Sequence, residues 1–245
     1  MEKKITLFLV NTAGIRPFDA RQGTVLTARA SRTQRRTRIQ LANEQRILDA
    51  ALDVFSLHGF RGSTIDQIAD AAGMSKPNLL YYFRTKEAIH GELIDRLMEK
   101  WLDPLRGMNE DGDPIEEIRR YILRKLEMAR DFPRESRLFA NEILQGAPHI
   151  GDALKGPLKR LVDEKAKIIE KWMIDGKLTK CDPHHLIFSI WATTQHYADF
   201  DAQVRAVLGP AKSGPGRFHD AAQFLDILFF DGLKPTGKTT KKSSP

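Results

Sequence analysis

The stretch Ser63–Lys86, STIDQIADAAGMSKPNLLYYFRTK, decides how the chain is read. Thr64-Ile-Asp-Gln67 matches a capping box, in which the Thr hydroxyl and the Gln side chain each satisfy a backbone group left free at a helix start. Ile65, Ile68, Ala69 and Ala72 then form the inner stripe of a short helix, and Gly73 suits its left-handed end. Ser75 is placed to cap a further short helix, with Pro77 tolerated in its first turn. Thr85 caps a longer helix with Glu87 near its positive end. Two short helices joined by Gly73-Met74-Ser75, supported by a helix over Asn43–His58, make the plan of a helix-turn-helix. In that plan the second short helix lies in the DNA major groove with its first residues toward the base edges.

The side chains of that helix divide into two faces. Leu80 and Phe83 are assigned to the core; Lys76, Pro77, Asn78 and Tyr81 face outward. Lys suits the acceptors of guanine and Asn suits adenine. Thr64, Ser75 with the amides that open the helix, Tyr82 and Lys86 are expected on phosphates. The supporting helix carries Ile47, Leu48, Ala51, Leu52 and Phe55 at helical spacing, and Gly59 stops it.

Charge is unevenly placed around this unit. The 245 residues hold 39 Lys plus Arg against 32 Asp plus Glu, a formal charge of +7. Residues 1–42 carry +7 and 43–86 are neutral; 87–233 carry −4, and the tail 234–245, with four Lys and no acid, +4. From Gly73 to Lys86 there are Lys76, Arg84 and Lys86 and no acid. A basic arm before a basic patch fits contact with a nucleic-acid backbone, and Arg36 and Arg38 at the end of the arm are expected there. The arm 1–42 and the tail 236–245 are read as unstructured.

Beyond the helix from Thr85 to about Leu102, Asn109–Pro114 is a polar loop. Helices are expected over about Pro114–Arg130, Pro133–Gln145, Ile150–Asp175, Asp182–Val207 and Phe218–Leu233, with Gly209–Gly216 as a loop. Strand alternation is not found, so the chain reads as all-α. Residues 43–89 form the helix-turn-helix domain and 90–235 a helical-bundle body.

Several function classes fall away. A single cysteine, Cys181, excludes an intrachain disulfide framework. The longest uncharged run, Pro183–Ala198, is shorter than a membrane span and carries His, Thr and Gln. Ile5–Val10 is too short an apolar run for a signal peptide, so the expectation is a cytoplasmic protein without a membrane partner. Ser189, His184, His185, His196 and Asp199 do not make a nucleophile–base–acid arrangement on one helix, so no catalytic residue is assigned. No cofactor is expected. Nor is a metal site, because His184 and His185 are adjacent and no third ligand stands at a helical spacing.

The motif resembles the DNA-binding domain of the tetracycline-repressor (TetR) family: a Thr-capped helix, Gly-x-Ser, an aromatic-rich helix ending in Phe, then Ser/Thr-Lys-Glu-Ala. Here these are Thr64, Gly73-Met74-Ser75, Leu79–Phe83 and Thr85-Lys86-Glu87-Ala88. The family often has Tyr where this chain has Leu80, so Leu80 is left out of the DNA set. RLFANEILQGAP (Arg137–Pro148) and DPHHLIFSIWATTQHYADF (Asp182–Phe200) resemble the pyrimidine-utilisation regulators of that family. The resemblance spans about Gln45 to Pro235. It implies a homodimer joined through the last two helices that binds a palindromic operator in double-stranded DNA, with a cavity in each body for a small-molecule effector, a pyrimidine such as uracil or thymine. It leaves open an unrelated hydrophobic or acyl-thioester effector, and more remotely an enzyme acting on a small heterocycle.

A flat heterocycle wants apolar walls and an amide that both donates and accepts. Gln195 lies one turn beyond Trp191 on the same helix face. Gln195 is therefore expected to pair with an imide edge, with Trp101 and Trp191 as walls and Met98 and Leu102 beside Trp101. Asn141, Thr194 and Tyr197 are further candidates. Phe224, Leu225, Ile227, Leu228, Phe229 and Phe230 are more apolar than one buried stripe needs, which suits a helix covered by its own body and by a partner. Ile187, Ile190 and Ala198 are expected to contribute from the preceding helix.

Overall fold

The computed structural model describes residues 37–233. The arm with Arg36 and the tail 236–245 lie outside the described residues. Eleven helices follow one another among the described residues: α1 (Arg38–Gly62), α2 (Ile65–Ala71), α3 (Lys76–Tyr82), α4 (Lys86–Arg106), α5 (Pro114–Asp131), α6 (Pro133–Leu144), α7 (Gly151–Ala153), α8 (Lys159–Ile174), α9 (Pro183–Asp199), α10 (Asp201–Lys212) and α11 (Arg217–Leu233). No helix among them is long and apolar enough to cross a membrane.

Helix α1 starts at Arg38, inside the stretch expected to be an unstructured arm. Thr37 accepts from the Gln40 amide while the Gln40 side chain accepts from the Thr37 amide, a capping box hidden in the basic run. Arg38 is therefore an exposed residue of the first helical turn. Regular helix ends at Gly59, whose φ of 68° turns the chain toward α2. Helix α4 runs past the expected end near Leu102, through Pro104, to Arg106. The helix expected from Ile150 to Asp175 is interrupted by a π-helical turn at Leu154–Leu158, where Pro157 has no amide to give to the ladder. The helix expected over Asp182–Val207 breaks at Phe200 into α9 and α10. Asp201 opens α10 as the joint partner of Arg205 and Arg217, each at 2.7 Å.

Two cores organise the molecule. The first holds Ile47, Leu48, Ala51, Phe55, Ile68, Leu79, Ile89 and Ile94, the interior of the helix-turn-helix. Leu138 of α6 and Ile150 belong to it too, because α6 packs along α1. The DNA-binding unit and the body are thus seamed by α6 as well as joined by α4. The second core fills the body between α5, α8, α9 and α11 with Ile118, Tyr121, Trp172, Ile187, Ile190, Leu225 and Phe230.

At the seam sit three polar residues in apolar surroundings. His90 of α4 is 1% exposed and Glu142 of α6 is 2% exposed; His149 follows in the α6–α7 connection. Burial, reinforced by the neighbouring His149, pushes the His90 imidazole down to about 4, so it is neutral at neutral pH. Burial acts to raise the Glu142 carboxyl, but the His149 amide and ring outweigh it, and the group stays ionised below its ordinary range.

The apolar anchor of the recognition helix differs from the expected one. Leu79 is fully buried, whereas Leu80 is half-buried. Replacing Leu79 by Ala removes the side chain that ties α3 to α1 and α2. It is expected to cost about 2–5 kcal/mol in chemical denaturation, whereas Leu80→Ala costs clearly less.

Candidate functional site

The DNA-reading surface is built from α1 outward. Arg46 of α1 donates through Nε to the Ala72 carbonyl at 2.6 Å and through an Nη to the Gly73 carbonyl at 2.8 Å. These carbonyls belong to the turn just after α2, so a side chain from the supporting helix fixes the turn that leads into α3. Gly73 takes φ 60° there, and its amide and that of Met74 close back on Asp70 and Ala69. Thr64 caps α2 from an exposed position, its hydroxyl accepting from the Gln67 amide. Ser75 holds the N-cap backbone of α3 but its hydroxyl makes no capping bond.

On α3 the structure brings Lys76, Pro77, Asn78 and Tyr81 to the exposed face together. Lys76 reaches Asp66 of α2 at 2.9 Å, a pair with both side chains about half exposed. Such a pair is worth little in water and leaves the amine available to another anion. Two residues expected on phosphates have partners within the protein. Tyr82 packs on the first core and its hydroxyl accepts from Asn43 Nδ2 at 2.8 Å. Lys86 donates to the Phe60 and Ser63 carbonyls, each at 2.8 Å, and lies 4.3 Å from the Phe60 ring centre. Both side chains are used to hold α1 against α3 and α4. Neither partner is close in sequence, so nothing in the motif announced them.

The second site is a cavity between α4, α5, α6 and α9. Its walls are Met98, Trp101, Leu102, Leu105, Tyr121, Lys125, Phe139, Leu158, Trp191 and Gln195. Five of the residues expected at the effector site, Met98, Trp101, Leu102, Trp191 and Gln195, meet there. Three do not. Thr194 is fully buried with its hydroxyl on the Ile190 carbonyl of its own helix. Tyr197 turns toward Phe218, 6.2 Å away. Asn141 lines an open groove outside the cavity, beside Arg137, Phe139, Gln195 and Asp199. Tyr121 and Lys125 also line the cavity: helical phase puts both on the stripe of Ile118, Ile122 and Leu126, and for Lys125 only the charge argued against burial.

The polar groups of the cavity are few and unusual. Trp191 Nε1 donates to the Tyr121 hydroxyl at 2.6 Å, which sets both rings. Trp101 Nε1 is buried and has no hydrogen-bond partner, a costly state that a ligand acceptor would relieve. Lys125 is 3% exposed and its amine lies 4.9 Å from the Trp101 ring centre. Burial pushes this amine down to about 7, with Asp199 pulling the other way. The Asp199 carboxyl is itself raised by burial, against the Ser136 hydroxyl that donates to it at 2.5 Å.

A third surface is apolar and exposed. On α11 Leu225, Phe229 and Phe230 are buried, while Phe224, Ile227 and Leu228 are half or more exposed, with Phe188 of α9 about half exposed. Ile187, Ile190 and Ala198, expected at this face, are buried in the body core instead. Helical phase puts them with Thr194 on the one stripe of α9 that faces the body, while Phe188 falls on the opposite side.

Lys125 generates a pH dependence. An amine with a folded pKa near 7 and an unfolded value near 10.4 binds its proton in the unfolded chain alone between those limits. Stability therefore rises with pH from about 7 to 10, and Lys125→Met is expected to flatten that rise in denaturant titrations at stepped pH.

Comparison with known proteins agrees with this arrangement. Residues 47–93 match the model for bacterial regulatory proteins of the tetR family, and 94–236 match that for the C-terminal region of YcdC-like proteins. The chain is 46% identical over 214 residues to the HTH-type transcriptional regulator RutR of Escherichia coli, covering 87% of this chain and 99% of that protein. Among solved structures, a TetR-like regulator from Rhodococcus shares the fold at a TM-score of 0.58 and 24% identity, over 79% of this chain and 96% of that one. AibR, solved with isovaleryl coenzyme A and operator DNA, superposes at a TM-score of 0.63 and 17% identity, over 78% of this chain and 99% of its own. The DNA-reading motif, the helical body behind it and these matches agree: the chain belongs to the TetR family of helix-turn-helix transcriptional regulators.

Proposed function

We propose that the protein is a homodimeric repressor, not an enzyme, that binds a palindromic operator in the cytoplasm and is released from it by a pyrimidine such as uracil or thymine. The observation that carries this reading is α4: its first turns pack into the DNA-binding unit through Ile89 and Ile94, and its last turns, with Met98, Trp101 and Leu102, wall the cavity.

The cavity chemistry supports a pyrimidine. Trp101, Trp191 and Phe139 supply flat apolar walls. The Gln195 carboxamide matches a donor–acceptor imide edge, and the unpartnered Trp101 N–H and the Lys125 amine suit ring carbonyls. The cavity volume is about 30 Å³, room for about two waters and too little for a pyrimidine ring. A pyrimidine enters only if the walls part, and α4 is one of the walls. A ligand that prefers the parted state shifts the protein toward it by that differential affinity. Tilting α4 moves α3, and two α3 helices must lie about one turn of DNA apart to read both half-sites.

The exposed Phe188, Phe224, Ile227 and Leu228 supply the dimer face. The face that meets DNA comprises Thr64, Ser75, Lys76, Pro77, Asn78 and Tyr81, with Arg38 at its edge. The Ser189 hydroxyl donates to the His185 carbonyl of its own helix, which leaves no poised nucleophile there. A bulkier apolar or acyl-thioester effector would have to occupy the open groove at Phe139 and Asn141, which borders the cavity through Gln195.

Isothermal titration with uracil is expected to give saturable heat, and Gln195→Ala to weaken binding by about 10- to 100-fold, the loss of one or two ligand hydrogen bonds. No heat in the wild type, or retention of an acyl-thioester on purification, removes the pyrimidine from the account. Fluorescence anisotropy with promoter DNA is expected to show affinity that falls steeply with salt and further on adding uracil. Binding that ignored salt would contradict the phosphate contacts.

A further inference from the structure

The seam between the DNA-binding unit and the body holds a group of side chains that neither DNA reading nor the effector cavity uses. His90, Glu142 and His149 come from α4, α6 and the α6–α7 connection, and their ligand atoms all lie within 4.8 Å of one another. We propose that these three residues bind a single first-row divalent cation, Zn2+ fitting best, which clamps the DNA-binding unit to the body.

Distances and donor types both support such a site. Tetrahedral Zn2+ holds nitrogen and oxygen ligands at about 2.0–2.2 Å, which places the ligand atoms roughly 3.3 Å apart. Glu142 Oε2 already lies 3.1 Å from His149 Nδ1 and 3.8 Å from His90 Nε2. Small side-chain rotations close the remaining gap. Two imidazoles and one carboxylate suit Zn2+, Co2+ or Ni2+; Mg2+ and Ca2+ prefer oxygen alone.

The surroundings are those of a positioned ligand set. Glu142 Oε1 accepts from the backbone amides of His149 and Ile150, at 2.7 and 3.3 Å, which orients the carboxylate toward both rings. His90 is held edge-on by Phe55 at 5.2 Å and packed by Phe60 at 4.8 Å, centre to centre. Its Nδ1 has no hydrogen-bond partner and can carry the ring proton, which leaves the Nε2 that faces Glu142 free for an ion. With Oε1 engaged by two amides, Oε2 of Glu142 is left facing the two imidazoles and supplies the negative charge that a divalent ion needs. The His149 side chain is 27% exposed, which gives an ion a way in and leaves a fourth position for water.

The position gives the site a consequence. His90 is on the helix that enters the DNA-binding unit, and Glu142 is on the helix that packs along α1. An ion shared between them holds α4 against α6 at the end remote from Trp101. This is independent of which effector the cavity takes and needs no DNA.

The test uses the full chain stripped with chelator and titrated with Co2+. The expected result is a visible ligand-field band saturating at one ion per chain, displaced by Zn2+, with Zn2+ in excess raising Tm by about 5 °C or more. His149→Leu lies at the rim, and Glu142→Gln keeps the side-chain shape. Each is expected to keep the helical circular dichroism and lose the band and the Zn2+ stabilisation. No saturable band in the wild type overturns the proposal. So do a band and a stabilisation that survive in both variants, since the ion would then sit on other histidines such as His184 and His185.

Discussion

Helix α4 is the constraint on which the rest depends. A helix buried along most of its length cannot bend at one end without moving the other. Ile89, Leu93 and Ile94 place its first half in the core of the helix-turn-helix, and Trp101, Leu102 and Leu105 place its second half against the body. Its start is fixed further by the Thr85 cap and by Lys86, which binds two carbonyls at the end of α1. The DNA-reading helix and the cavity proposed for the effector therefore sit on one lever. Close packing turns a change in cavity volume into a displacement, because interiors of this density do not absorb it locally.

The same economy explains where polar groups are buried. Trp101 Nε1 lacks a partner, the Lys125 amine is pushed down to about 7, and His90 with Glu142 sits in an apolar seam. Each costs stability relative to an apolar residue of the same shape. They are not scattered: two line the cavity and the others lie where the DNA-binding unit meets the body. Buried polar groups of this kind mark positions where function is weighed against stability.

The DNA-reading end was legible in the sequence to an unusual degree. The Thr64-to-Gln67 box, Gly73 and the Thr85 cap are local devices that act within a few residues, so they survive translation into one dimension. The exposure of Lys76, Pro77, Asn78 and Tyr81 followed from helical phase. Tyr82, Lys86 and Arg46 were not readable, since their partners are Asn43, Phe60, Ser63 and the end of α2, all set by tertiary packing. In the cavity the i,i+4 pair Trp191 and Gln195 and the cluster around Trp101 were accessible from helical spacing. Lys125 shares the helical phase of Ile118, Ile122 and Leu126, but its charge argued against burial. Thr194 and Tyr197 share the helix of Gln195 but not its face, one turned to its own backbone and the other to Phe218. His90, Glu142 and His149 were invisible for the same reason: no spacing relates three different elements.

The central claim is that parting the cavity moves the two recognition helices relative to each other. Distance measurement between spin labels tests it directly. Cys181 is the single cysteine, so a Cys181→Ser, Ala71→Cys chain carries one label per subunit at the exposed end of α2, in the DNA-binding unit but outside the DNA-reading set. On operator DNA the account predicts a narrow distribution consistent with recognition helices about 35 Å apart. Added uracil, in the absence of DNA, is predicted to displace and sharpen the distribution of the free dimer away from that value. A distribution that is the same with and without uracil, at concentrations that saturate the cavity, would contradict the account.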